Sequence, residues 1–183
     1  MKMITLNHVL IVSTVALLSV SSFSRNAVWH DSVTLWSDAA GKSPQKGKVH
    51  YNLGASLALR ERYDPAEVHF KKALALAPDH KTHSNLGSIY FLQGRMTEAE
   101  RHFELAIHYN PSSPDVRYNL GLLCLEQARL DEAKHHFHVA VLLDPAFVEA
   151  LNSLALVAVL QGRFADAERH KEQTKASEPE SEQ

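Results

Sequence analysis

Small and apolar residues return along this chain at matching places every 33 or 34 residues. In the stretch HYNLGASLALRERYDPAEVHFKKALALAP, residues 50–78, Leu53 and Gly54 are followed by Ala66, Phe70, Ala73 and Pro78. The first pair returns as Leu86 and Gly87 and again as Leu120 and Gly121. The second set returns as Ala99, Phe103, Ala106 and Pro111, then as Ala133, Phe137, Ala140 and Pro145. Steps of four and three residues put Ala66, Phe70 and Ala73, and their equivalents, on one helix face, and every unit reads as two helices. Large Leu and Phe side chains fill the gaps that small residues leave between close backbones. The proline after each second helix stops it before the next unit begins.

The units span residues 47–79, 80–113 and 114–147, with a weaker fourth at 148–176. Gly94 and Gly162 mark the turn between paired helices in two of them, and Asp64, Thr97 and Asp131 are predicted N-caps of second helices. Glu67 and Glu100 would complete capping boxes, and Pro65 would occupy a first helical position. The fourth unit keeps Leu154, Ala155 and Ala167 but has Lys171 and Thr174 for Phe and Ala, which predicts a terminal repeat with a polar outer face. Residues 177–183, with Glu178, Glu180 and Glu182, read as an acidic disordered tail.

Upstream, residues 25–46 place Trp29, Val33, Trp36 and Ala40 on one helix face, with Asn26 or Asp31 as cap. Trp36, Ala39 and Pro44 precede Phe70, Ala73 and Pro78 by 34 residues each, so this segment is a degenerate half repeat that caps the array. Residues 4–23 lack permanent charge and would form a helix of about 30 Å, long enough to span a bilayer. An uncleaved single-pass anchor over residues 1–24 is favoured, with the repeats on the extracytoplasmic side. A cleaved signal peptide, giving a secreted or periplasmic protein, is the alternative.

A period of 34 with Leu-Gly, Ala, an aromatic, Ala and Pro at these spacings resembles the tetratricopeptide repeat (TPR). The resemblance implies an all-α fold: an α-solenoid of about four helix-turn-helix repeats with an N-terminal capping helix, preceded by one hydrophobic helix. It also implies a scaffold that binds other proteins. Residues 25–54, RNAVWHDSVTLWSDAAGKSPQKGKVHYNLG, resemble the junction between the last membrane helix and first repeat of transmembrane-and-TPR O-mannosyltransferases. In that family the membrane domain carries glycosyl transfer through acidic residues in an early loop. That loop is absent here, so the resemblance supports acceptor binding and not the transfer.

Composition changes the picture mainly by exclusion. With 19 basic and 21 acidic residues well mixed, the chain has no basic stripe, and nucleic acid is not an expected partner. The single Cys124 excludes an internal disulfide. Of twelve histidines, His69, His102, His136 and His170 share one repeat position. Neighbouring helices lie about 8–10 Å apart, too far for these rungs to share an ion held at roughly 2.0 Å, so no metal or cofactor is expected. Arg62, Arg95, Arg129 and Arg163 form a second column at the turns, read as solvated or as an edge attracting acidic partners. No nucleophile elbow, phosphate loop or zinc-protease helix is present, and catalysis is not expected.

The column that best suits binding is Asn52, Asn85 and Asn119, immediately before the Leu-Gly of successive first helices. An amide offers donors and an acceptor together, so a row of them can hold the backbone of an extended peptide whatever its sequence. Tyr51, Tyr118 and Phe91 add apolar area on or near that face. Hydrogen bonding of these amides within their own repeats is the alternative. The column resembles the asparagine ladder of O-GlcNAc transferase repeats, which implies groove binding through these residues. The expectation is a non-catalytic adaptor that binds a protein segment at the membrane, with self-association through the open ends of the array as a further mode.

Overall fold

The computed structural model describes residues 31–177. The expectations for residues 1–24, for Asn26 and Trp29, and for the acidic tail beyond Ser177 lie outside the described residues. The chain divides into two units, Met1–Leu76 and Ala77–Gln183. In the first, α1 (Ser32–Lys42) packs on α2 (Gly47–Ala58), and α2 on α3 (Tyr63–Leu76). The second holds α4 (His80–Leu92), α5 (Met96–Tyr109), α6 (Pro114–Glu126), α7 (Leu130–Leu143), α8 (Val148–Leu160) and α9 (Phe164–Ser177). Each of these packs on the next, and α4 also meets α6. All nine elements among the described residues are helices.

Each first helix ends in the same turn. Gly94 adopts φ +71°, its N–H donates to the Phe91 carbonyl, and the Arg95 N–H reaches back to Tyr90 O at 2.8 Å. These two bonds satisfy carbonyls that the helix end would leave unpaired, as in a Schellman motif. The same pair of bonds recurs at Ala128 and Arg129, at Gly162 and Arg163, and at Glu61 and Arg62. Glu61 and Ala128 hold φ of 58° and 56°, the left-handed region that glycine favours.

The arginine that closes this turn also starts the second helix. Its carbonyl accepts from Ala66, Ala99 or Ala133, so Arg95 and Arg129 are the N-caps of α5 and α7. This corrects the predicted caps: Thr97 and Asp131 lie inside the first turn, two residues past the cap. Asp64 likewise sits in the first turn of α3. Pro65 is third in that helix, where a backbone donor still has no intrahelical acceptor. The capping boxes give way to ion pairs, Glu67 with Lys71 and Glu100 with Arg129. Asp31 does cap α1, accepting from Val33 N at 3.0 Å, and it pairs with Arg60 at the end of α2. That guanidinium and the Thr34 hydroxyl hold the Asp31 carboxyl down at about 2.

Helix pairs lock by an aromatic wedge. Phe70, Phe103 and Phe137 are at most 1% exposed, and each ring packs against a glycine on the preceding helix. A Cβ on Gly87 would meet Phe103 Cδ1 and Cε1 at 2.6 Å. Gly87→Ala should therefore cost about 1–2 kcal/mol, overpacking of roughly 1–3 kcal/mol being partly offset by alanine's helix preference. A urea titration checks this, and an unchanged midpoint would mean that the ring has room to yield.

The fourth repeat alters both partners of the wedge together. Lys171 replaces the phenylalanine and pairs with Glu168 at 2.8 Å, and Ala155 replaces the glycine. With no ring to admit, a Cβ is tolerated. α9 is polar, but the predicted polar outer face is incomplete: Leu156, Val159, Leu160 and Phe164 are 41–66% exposed around the last turn.

Candidate functional site

The binding column stands on first helices. Asn52 lies on α2 in the first unit, whereas Asn85 on α4 and Asn119 on α6 share the second, where the two helices meet. All three are half-buried. Asn52 and Asn119 make no side-chain hydrogen bond to a described residue, while Asn85 does interact within the chain. The displaced Asn152 of the last repeat is held internally, its Oδ1 accepting from Thr174 Oγ1 at 3.2 Å.

The aromatic neighbours divide their surface. Tyr51 tilts against Phe70 at 5.9 Å between ring centres, and Tyr118 tilts against both Phe137 at 5.6 Å and Phe147 at 5.1 Å. One side of each tyrosine therefore belongs to the packing, which leaves only the other for a ligand. Phe91 is half-buried near the end of α4.

The histidine column has partners that repeat alignment alone does not reveal. His50, 2% exposed, places Nε2 3.0 Å from the Pro44 carbonyl oxygen and Nδ1 3.1 Å from Nδ1 of His69. A carbonyl only accepts, which assigns the His50 proton to Nε2 and makes His69 the donor through its Nδ1–H. The ring centres are 5.4 Å apart, so the nitrogens point at each other along the line of centres. An ion on that line would sit about 1.5 Å from each nitrogen, inside the roughly 2.0 Å of a zinc–nitrogen bond. The bridge is a proton.

His83 and His102 repeat the arrangement at 3.0 Å, with Tyr109 stacked on His83 and Tyr90 tilted on His102. Burial, with His50 and Lys72 nearby, pushes the His69 pKa down. Burial also lowers that of His83, Arg101 adding to the effect and Asp79 opposing it. In the third repeat Arg117 stands where His50 and His83 do, and Arg117 Nε and His136 Nδ1 are both buried without a partner. Burial first, then His135 and Arg117, depress His136 to about 4. Among the described residues no group of three or more metal-ligating side chains is gathered.

The arginine column is largely committed inside the fold. Arg95 lies 4.1 Å above the Tyr90 ring and pairs with Glu98, Arg129 holds Glu100 and Glu132, and Arg163 holds Asp166. Most of the anticipated positive edge is thereby neutralised.

Helix pairs wedged by Gly and Phe, repeated every 33 or 34 residues and built around a packed interior, define a helical repeat protein. Tetratricopeptide repeat models match residues 47–80, 90–145 and 118–173, and the chain belongs to the TPR family. Among solved structures, MamA 41-end from Desulfovibrio magneticus RS-1 is similar with a TM-score of 0.75 and 20% identity, over 89% of this chain and 95% of that one. YrrB, a TPR protein with an unusual peptide-binding site, has a TM-score of 0.67 and 18% identity, covering 91% and 83%. Pseudomonas aeruginosa pilF has a TM-score of 0.73 and 19% identity, covering 90% and 75%. At these identities the likeness establishes the fold. No curated protein matches the sequence.

Proposed function

We propose that this chain is a non-catalytic adaptor whose first helices hold extended backbone of a partner protein, through Asn52 in the first unit and through Asn85 and Asn119 in the second. The observation that carries the reading is the state of Asn52 and Asn119: equivalent, half-buried amides with no hydrogen bond to a described residue. Such groups gain about 1 kcal/mol each when a peptide backbone satisfies them. The test is a protein capture experiment with the full-length chain in detergent, native against N52A/N85A/N119A, with captured proteins identified by mass. The triple variant should retain about a tenth or less of the capture, with helix content unchanged. Equal capture by both proteins removes the reading.

The apolar run over residues 4–23 supports an adaptor tethered to a membrane with its repeats on the extracytoplasmic side. Among the described residues no helix is long and apolar enough to cross a membrane. N-terminal sequencing of the mature protein separates an anchor, starting at Met1, from a cleaved signal peptide. A second reading, an acceptor-binding module of a multi-pass glycosyltransferase, draws on the junction at residues 25–54; such an enzyme among the captured proteins would favour it. The exposed Leu156, Val159, Leu160 and Phe164 support self-association as an added mode, visible as a mass that rises with concentration.

A further inference from the structure

Arg129 shows how one repeat is tied to the next. Its Nη1 donates to Glu100 Oε1 of the preceding repeat and to Gln127 Oε1, each at 2.7 Å, while Nε and Nη2 hold Glu132 on its own helix. Thirty-four residues on, the positions of Arg129, Glu100, Glu132 and Gln127 are filled by Arg163, Lys134, Asp166 and Gln161. Arg163 keeps the partner on its own helix, Asp166. Across the repeat boundary, however, the carboxylate has become an ammonium.

Two further observations accompany the exchange. Gln161 Oε1, which corresponds to the acceptor that Arg129 engages on Gln127, is buried without a donor, so Arg163 does not reach it, while Gln161 Nε2 donates to Asp131 Oδ1 at 2.9 Å. Lys134 forms no ion pair with a described residue, and Asp166 is shared between Arg163 and Arg169. Between α7, α8 and α9, Lys134, Arg163, Asp166 and Arg169, together with His138 and His170, rim an open cleft of about 190 Å³ floored by Leu154 and Ala158. Three cations and one carboxylate around an apolar floor leave a net positive site, where a charge-assisted hydrogen bond to an anion is strongest.

We propose that this cleft binds the carboxylate of an aspartate or glutamate side chain of a partner protein, seated between Lys134 and Arg163 as Glu100 is seated against Arg129. The template for the ligand is itself a glutamate side chain, whose methylenes would lie over Leu154 and Ala158. The inference rests on the reading of the chain as a protein-binding module, but not on the asparagine face.

The test is fluorescence anisotropy with the full-length chain and a labelled peptide of alternating Glu and Ser, against the same peptide with Gln for Glu. The Glu peptide should bind about tenfold tighter. Lys134→Glu should abolish that difference while leaving the melting temperature equal or higher, because the introduced carboxylate closes on Arg163 and the fold is kept. Lys134→Gln should lose roughly three- to tenfold. Equal binding of the two peptides, or full binding by K134E, overturns the proposal. Free glutarate binding as tightly as the peptide would assign the cleft to a small carboxylate, and a tenfold gain on deleting residues 178–183 would assign it to the chain's own glutamates; either overturns the partner. The N52A/N85A/N119A variant should bind the Glu peptide normally, so the two surfaces fail or stand separately.

Discussion

Phe137→Ala is expected to lower the unfolding free energy of the second unit by about 4 kcal/mol and its melting midpoint by roughly 15–20 °C. The ring is completely buried, lies against Gly121, and shares a cluster with Cys124, Ala133, Leu154 and Val157. Truncation therefore opens a cavity touching α6, α7 and α8 at once. In a repeat array each element is stabilised by its neighbours alone, and the last repeat has Lys171 in place of a wedge of its own. The α8–α9 pair should consequently detach before the rest, turning one cooperative transition into two. Urea titrations followed by circular dichroism and by amide exchange at α8 check both statements. A single transition displaced by less than about 1 kcal/mol would contradict the wedge as the main tie between these repeats.

Acidification from pH 7 to about 4.5 should remove roughly 2 kcal/mol, a figure reduced from the full linkage value because the rings concerned are partly solvated. His69, His83 and His136 all have pKa values pushed below the ordinary histidine value, His136 to about 4. A group depressed in the folded chain binds fewer protons there than in the unfolded chain, so the fold is favoured as pH rises. Their contribution is complete above about pH 6.5 and is lost as pH falls from there towards 4. Double protonation of a pair would also set two N–H groups face to face at 3.0–3.1 Å, where one donor and one acceptor now meet. The carboxylates of Asp31, Glu132 and Glu168 are held below their usual range and respond only at lower pH, which leaves this window to the histidines. His136→Leu should retain more of its neutral-pH stability at pH 4.5 than the native chain, measured as the difference in melting temperature. A melting temperature flat between pH 7 and 4.5 would refute the assignment.

The helical repeat was legible because its packing rule is written in residue size: Gly54, Gly87 and Gly121 each face a phenylalanine ring that a larger residue would crowd. Helix starts were less legible, since Thr97 and Asp131 are good cap residues by type. One turn geometry ends a helix and begins the next, and it gives the cap to an arginine whose backbone does the work. The histidine bridges were hidden because alignment groups equal positions in different repeats, whereas the bonds join different positions in one repeat, 19 residues apart. For the candidate site, the positions of Asn52, Asn85 and Asn119 could be read directly. The commitment of Tyr51 and Tyr118 to Phe70 and Phe137 could not, because it depends on how far each ring leans across its neighbour. The reversal from Glu67 and Glu100 to Lys134 is visible in the repeat column, but its meaning needed the cleft that surrounds it.

The four turns that close the first helices share one left-handed residue position, filled in order by Glu61, Gly94, Ala128 and Gly162. A single path traced by such different side chains is imposed from outside the turn, by the helices that meet there, at a cost of about 1 kcal/mol wherever the residue is not glycine. Helix packing therefore carries the instructions for geometry, and the turn merely obeys them. Its residues are left free to diverge in charge and size, so neighbouring repeats can acquire separate identities at the same turn without changing its backbone path.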